Sequence, residues 1–261
     1  MELHLRDKTV LISGGSKGIG KATALAFAEE GARVAICARG EQDLKNTADE
    51  IRTKTGNDVF TFRADMTSQD DIKAFILETH RKFGRIDILV NSAGQTKPGS
   101  FLELTDEDWM SSWVGKYFGC VRICREVFKI MRDQRAGVII NVHGASAYRP
   151  EEGYILKGNV NAAVMNFTVA LANEGSKFGI RAHGISPGPI RTGAIKQLTK
   201  HLSASDSASG GKSEKSFTPP LGRIGEANEV ADLILFFASE RSAYIQGENI
   251  VIDGGWLRSC R

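Results

Sequence analysis

The stretch YILKGNVNAA at 154–163 puts a phenol, Tyr154, three residues before an ammonium, Lys157. Their reference pKa values are close, about 10 and about 10.4, so either group can hold a proton at neutral pH and pass it to a developing alkoxide. On a helix, positions 154, 157 and 161 share a face, which aims Tyr154, Lys157 and Asn161 at a common cleft. A second stretch, SGGSKGIG at 13–20, suits a different task. It follows a strand pattern and opens a helix. Gly14, Gly18 and Gly20, with Ser16, Lys17 and Ile19 between them, can therefore bring the backbone close to a pyrophosphate whose charge the helix N-terminus stabilises. The spacing is Gly-x-x-x-Gly-x-Gly, not the more general Gly-x-Gly-x-x-Gly. Alone, such a loop also reads as a tight strand-to-helix turn. Arg39 after a second strand, Asp65 after a third and Asn91-Ser92-Ala93-Gly94 after a fourth favour the nucleotide.

These residues need a scaffold, and the pattern around them supplies one. TVLISGG, RVAICAR, VFTFRAD, IDILVNSAG, GVIINVHG, IRAHGISPG and NIVIDGG are short apolar runs of strand type. Stretches of 3.6-residue periodicity, such as KATALAFAEEG and DIKAFILETHRKFG, separate them. Continuous apolar strands alternating with helices imply a parallel sheet covered on both faces. At 261 residues, with 41% hydrophobic and 25% charged residues, the chain suits a single α/β domain over 1–261. Residues 193–218 lose the apolar pattern to Ser, Gly and Lys, and read as a substrate-side loop or lid. A net charge of +3 without a basic run argues against nucleic acid and against a polybasic membrane surface. Small molecules and copies of the chain itself are the expected partners. The N-terminus enters a strand pattern directly, and no apolar stretch approaches about eighteen residues, so a cytoplasmic chain that crosses no membrane is expected. Cys120 and Cys124, four apart in a helical pattern, read as small core residues; Cys37 and Cys260 join them in no metal-ligand spacing.

Together SGGSKGIG, ADMTS at 64–68, NSAG at 91–94, SPGPIRT at 186–192, LGRIGEANEVADLILFFAS at 221–239 and GENIVIDGG at 247–255 resemble the short-chain dehydrogenase/reductase family, over essentially the whole chain. The resemblance implies a Rossmann-like three-layer sandwich with a seven-stranded parallel sheet, a nicotinamide dinucleotide across the strand C-termini, and a homodimer or homotetramer. It also implies that Asp65 and Met66 flank the adenine. Asn91, Ser92, Ala93 and Gly94 then line the adenosine side, and Pro187, Gly188, Ile190 and Thr192 the nicotinamide half. A carboxylate ending the second strand would bond the ribose 2′-hydroxyl of NAD. Here Ala38 fills that place, Arg39 follows, and Lys17 lies in the glycine loop, so NADP(H) is the expected cofactor.

The family's usual catalytic group is a Ser, a Tyr-x-x-x-Lys pair and an Asn on the preceding helix. Counted back without gaps from Pro187-Gly188, its lysine position falls on Asn161 and its tyrosine position on Lys157. About thirteen residues earlier, its serine position falls on Gly144; seven residues after Trp109, its asparagine position falls on Lys116. All four usual residues are replaced. Lys157, Tyr154 and Lys116 are then the candidate proton donors, and two neighbouring lysines would depress each other's pKa and attract a carboxylate or phosphate. His143 and Ser146 are further hydrogen-bonding candidates, or simply strand-end and loop residues. Two functions remain: an NADP(H)-dependent oxidoreductase acting on a carbonyl or alcohol through an atypical site, or a catalytically silent NADP(H)-binding protein serving as sensor or partner subunit.

Overall fold

In the computed structural model, which describes residues 2–193 and 218–257, each of the seven apolar runs becomes a strand. They are β1 (Thr9–Ser13), β2 (Arg33–Ala38), β3 (Phe60–Arg63), β4 (Ile88–Asn91), β5 (Gly137–Val142), β6 (Ile180–Pro187) and β7 (Asn249–Ile252). All pair in parallel in the order β3-β2-β1-β4-β5-β6-β7. The strands carry so few polar residues because helices cover both faces, and alternate side chains feed different cores. Val10, Ile12, Val34, Ile36, Val90 and Ile140 pack with α1 (Gly18–Glu29), α2 (Glu41–Thr55) and α7 (Ala227–Ala238). Leu11, Ala35, Leu89 and Ile139 pack with α3 (Gln69–Phe83), α5 (Gly119–Gln134) and α6 (Ile155–Ser176). This is the expected three-layer arrangement. Most of the proposed 193–218 lid lies outside the described residues, as does Cys260; among the described residues no helix is long and apolar enough to cross a membrane.

Two local features position the site. Residues 106–134 do not form one regular helix. Thr105 and Asp108 form a reciprocal N-terminal cap on α4 (Asp106–Ser112), and the chain then widens into a π-helical segment, Trp113–Phe118, before continuing as α5. Such a widening rotates the side chains within it away from the face that a regular helix would give them, and Lys116 lies inside it. The second feature is a buried polar knot at the middle of the sheet. Asn141 Oδ1 accepts from Asn91 Nδ2 at 2.8 Å and from Cys120 Sγ at 3.3 Å, while Asn141 Nδ2 donates to Thr168 Oγ1 of α6 at 2.9 Å. Strands β4 and β5 and helices α5 and α6 are therefore fixed to one another by one amide.

Candidate active site

The strand order reverses between β1 and β4, which leaves a crevice at their C-terminal ends. Gly14 stands there at φ 72°, and a Cβ on it would come within 2.9 Å of the Ala93 backbone. The loops after β1 and β4 thus touch only because residue 14 has no side chain. Gly20 is under the same constraint, since a Cβ on it would overlap the Gly14 carbonyl. Helix α1 starts at Gly18 with no side-chain cap from Lys17 and no acid in its first turn. Its first amides are left for an anion, and with the glycine cradle they fit the pyrophosphate of a dinucleotide. Ser16 is tied down through its carbonyl to Thr47 Oγ1 at 3.0 Å, and Ile19 packs against the core.

Around this cradle the other expected cofactor residues divide. Thr192 faces it, its Cγ2 lying 3.3 Å from where a Cβ on Gly18 would be. Asp65 accepts the Thr67 amide at 2.8 Å, which, with help from Arg39, holds its carboxyl below the usual range. Met66 is buried beneath it. Arg39 is exposed, whereas Lys17 is held by Asp43 of α2 at 2.7 Å, so the two cations expected to act together differ in freedom. The Asn91 side chain is turned into the sheet, spent on Asn141. The Ser92 amide is bonded to the Ser13 carbonyl at 3.2 Å. Pro187 ends β6, the Gly188 amide is bonded to the Ile252 carbonyl at 2.9 Å, and Ile190 points into the core.

Lys116 crosses from the π-helical segment to this crevice. A Cβ on Gly94, at φ 115°, would meet the Lys116 Cβ at 2.9 Å, and Lys116 Nζ donates to the His143 carbonyl at 3.0 Å. Burial, and then the nearby Lys157 ammonium, push the Lys116 pKa down to about 7. Burial also lowers Lys157, against an opposing pull from Glu151. The Lys157 ammonium lies 5.4 Å from the centre of the Tyr154 ring, a cation–π contact. Tyr154 itself precedes the helix and is its N-cap residue. Among the described residues its buried hydroxyl has no partner, and burial together with Glu151 raises its pKa to about 12. The ring lines a cavity of about 630 Å³ beside Phe101, Ser146, Gly158 and Ala162, which Lys157 and Asn161 do not line.

Asn161 is fully buried. Its Nδ2 donates to Ser146 Oγ at 2.7 Å, and its Oδ1 has no partner among the described residues. His143 is buried between Ser186 Oγ at 3.1 Å and Asn249 Oδ1 at 3.0 Å, and burial lowers its pKa to about 4. It is therefore neutral at pH 7 and adds no third cation. The Ser146–Asn161 bond and the widened helix at Lys116 were not legible in the sequence. Both depend on which way a turn presents a side chain, and spacing alone does not carry that.

The family model for enoyl-(acyl carrier protein) reductase matches residues 14–257. A 3-oxoacyl-(acyl-carrier-protein) reductase of Chlamydia muridarum is 33% identical over 256 residues, 98% of this chain and 99% of that protein. One from Thermotoga maritima is 34% identical over 253 residues, 97% of this chain and 99% of that protein. The crystal structure of L-sorbose reductase from Gluconobacter frateurii, complexed with NADPH and L-sorbose, matches with a TM-score of 0.91 at 30% identity, covering 100% of both chains.

Gly144 offers a direct test of how tightly the site is built. It sits at φ 141° and ψ 150°, a region essentially closed to other residues, and a Cβ there would lie 3.1 Å from Asn161 Nδ2. Gly144→Ala is expected to cost about 3 kcal/mol in urea unfolding, at the upper end for such strain. Gly153→Ala, at φ 75° with nothing within 4 Å, should cost about 1 kcal/mol. Equal midpoints for the two variants would show that Asn161 does not hold this backbone.

Proposed function

The chain belongs to the short-chain dehydrogenase/reductase family, and on that premise we propose that it is an NADP(H)-dependent oxidoreductase interconverting a carbonyl compound and its alcohol, with Lys157 as proton donor. The observation that carries the reading is Lys116, packed against Gly94 of the dinucleotide crevice with its ammonium on the His143 carbonyl at 3.0 Å, and Lys157 on α6, whose charge bears on it. When bound, the cofactor supplies the hydride to the carbonyl carbon. The displaced C=O electron pair settles on the oxygen, which takes a proton from the Lys157 ammonium and leaves a neutral amine. Burial has already lowered the cost of that loss, which suits a general acid working near neutral pH. Tyr154, raised to about 12, is the weaker acid. Lys116, bonded to the His143 carbonyl and lowered to about 7, adds a second donor near the developing alkoxide that is charged in about half of the molecules at neutral pH. Asn161 acts as a positioning residue through Ser146.

Preference for NADP(H) is supported by Arg39 and by the absence of a carboxylate at Ala38, where β2 ends. Arg39→Ala should weaken NADPH binding by about tenfold to a hundredfold, the worth of a charge-assisted bond to phosphate, and leave NADH binding nearly unchanged. Fluorescence titration of both cofactors checks this; equal affinities in the unmodified protein would refute it.

Assembly is proposed as a homodimer or homotetramer through α5 and α6. Val114, Phe118, Val121 and Arg125 lie along the outer side of the widened segment and α5, and Phe118 and Val169 are exposed at 41% and 39%. Sedimentation at micromolar concentration should give a dimer or larger, and a clean monomer would remove this surface.

The repacked Gly144–Asn161–Ser146 corner favours the second reading, a silent NADP(H)-binding protein, and one set of measurements separates the two. For an active reductase, Lys157→Met lowers kcat by about 10² to 10⁴ with NADPH affinity kept, because general acid catalysis acts in the transition state. Tyr154→Phe should cost far less, and the alkaline limb of kcat should fall below the ordinary lysine value of 10.5. The reverse order of the two variants would make Tyr154 the acid. No NADP(H)-linked turnover across aldehydes, ketones and alcohols would leave the silent reading.

A further inference from the structure

We propose that the segment after β7 governs which carbonyl compounds fit: Trp256, acting through Arg149, holds one wall of the cavity beside Tyr154, and that cavity takes an uncharged, apolar substituent of the substrate. The inference rests on the oxidoreductase reading and adds to it a substrate class and two positioning residues, neither of which lines the cavity. The wall lies between the short turn at Ala145–Ala147 and α6. Residues 148–154 form neither strand nor helix there, so side chains must hold them. Tyr148 Oη donates to the Asn249 carbonyl of β7 at 3.2 Å. Arg149 makes three contacts. Its guanidinium lies 5.0 Å from the centre of the Trp256 ring, its Nη1 donates to the Trp256 carbonyl at 3.2 Å, and its Nε meets Glu151 Oε1 at 2.8 Å. A planar guanidinium can stack on a ring while it serves two oxygens, which the compact ammonium of a lysine does not match.

Both ends of this clasp are anchored. Asp253 accepts the Gly255 amide at 2.9 Å and the Leu257 amide at 2.8 Å, and so closes the turn that presents the indole. The Glu151 carbonyl accepts the Tyr154 amide at 3.1 Å, and the Gly153 carbonyl accepts the Gly99 amide at 3.0 Å, which ties this wall to the facing one at Ser100 and Phe101. With side chains 46% and 27% accessible, the Arg149–Glu151 pair adds little to stability, so its value lies in where it holds the loop. Phe101, Ala147, Pro150, Tyr154, Ile155 and Ala162 give the cavity of about 630 Å³ its apolar surface, in the size range of a small-molecule site. Among the described residues that line it, the charged ones are Glu151 and Glu152, which disfavours an anionic substituent. The Tyr154 ring also carries the Lys157 ammonium, 5.4 Å from its centre, so the cavity adjoins the proposed proton donor.

Three methyl ketones that differ at one end test the inference by NADPH-linked reduction on the full chain: 2-butanone, 4-phenyl-2-butanone and levulinate, which carries a carboxylate where the second carries phenyl. The phenyl ketone should have a KM at least about tenfold below that of butanone, as expected for burying a ring, and levulinate should gain nothing. Arg149→Met and Trp256→Leu should remove most of that gain with kcat kept, and Arg149→Lys should behave as Arg149→Met. Trp256→Phe, which keeps an aromatic face, should retain most of it. Melting temperature and NADPH affinity establish that each variant is folded. If no ketone is reduced, calorimetry on the NADP⁺-loaded chain reads the same differences as Kd. Equal values for butanone and the phenyl ketone, tighter binding of levulinate, or Arg149 and Trp256 variants that leave the phenyl preference intact would each overturn the inference. The expected binding differences without reduction would leave it standing and remove the active reductase. Reduction of butanone without a phenyl preference would do the reverse.

Discussion

The amide of Asn141 holds the site together. It is fully buried at the centre of the sheet, takes a hydrogen bond from Asn91 of β4, gives one to Thr168 of α6 and receives Cys120 of α5. Each of those elements leads to a residue of the crevice: β4 to Gly94, α5 to the widened segment with Lys116, and α6 to Lys157 and Asn161. A buried amide is demanding in a way that an apolar contact is not. A shift of one ångström leaves polar groups unmet, at about 1–3 kcal/mol each, so the three elements keep a fixed mutual position.

On that frame sits an unusual charge distribution. Lys116 feels the charge of Lys157, no carboxylate among the described residues lies within 4.0 Å of either, and His143, neutral between Ser186 and Asn249, does not add to the repulsion. The strain is distributed by geometry. Lys116 is moored to a strand-end carbonyl, Lys157 leans on an aromatic ring, and the π-helical segment lets Lys116 reach inward without a break in the helix. A preorganised positive region of this kind favours a nearby negative charge, and needs little rearrangement to do so.

The opposite end of the crevice is built from weaker interactions. Lys17 and Asp43 form an exposed ion pair, with side chains 73% and 40% accessible, and such pairs contribute about 1 kcal/mol at most. A phosphate dianion can therefore draw Lys17 away from Asp43 at small cost, while Arg39 needs no release. The glycine cradle between the two ends is close-packed: a side chain on Gly14 would meet the Ala93 backbone after β4, and one on Gly20 would meet the Gly14 carbonyl.

The sequence by itself determined the layers, the strands and the place of the dinucleotide crevice. Runs such as TVLIS and GVIINV can only be strands covered on both faces, and the glycines of SGGSKGIG have few other uses between a strand and a helix. A gapless count back from Pro187 also proposed Lys157, Asn161 and Gly144 for the catalytic end, and the spacing from Trp109 proposed Lys116. Tertiary structure alone decided what those residues touch. Asn91, expected at the cofactor, is turned into the sheet by Asn141, and Lys17 is claimed by a carboxylate from a helix that begins after the next strand. Tyr154 stands before α6 as its N-cap residue and faces a cavity that Lys157 does not line. The reason is physical: periodicity fixes the face of an element, but a side chain's partners come from elements distant in the chain, and a widened helical turn or a single buried amide redirects them.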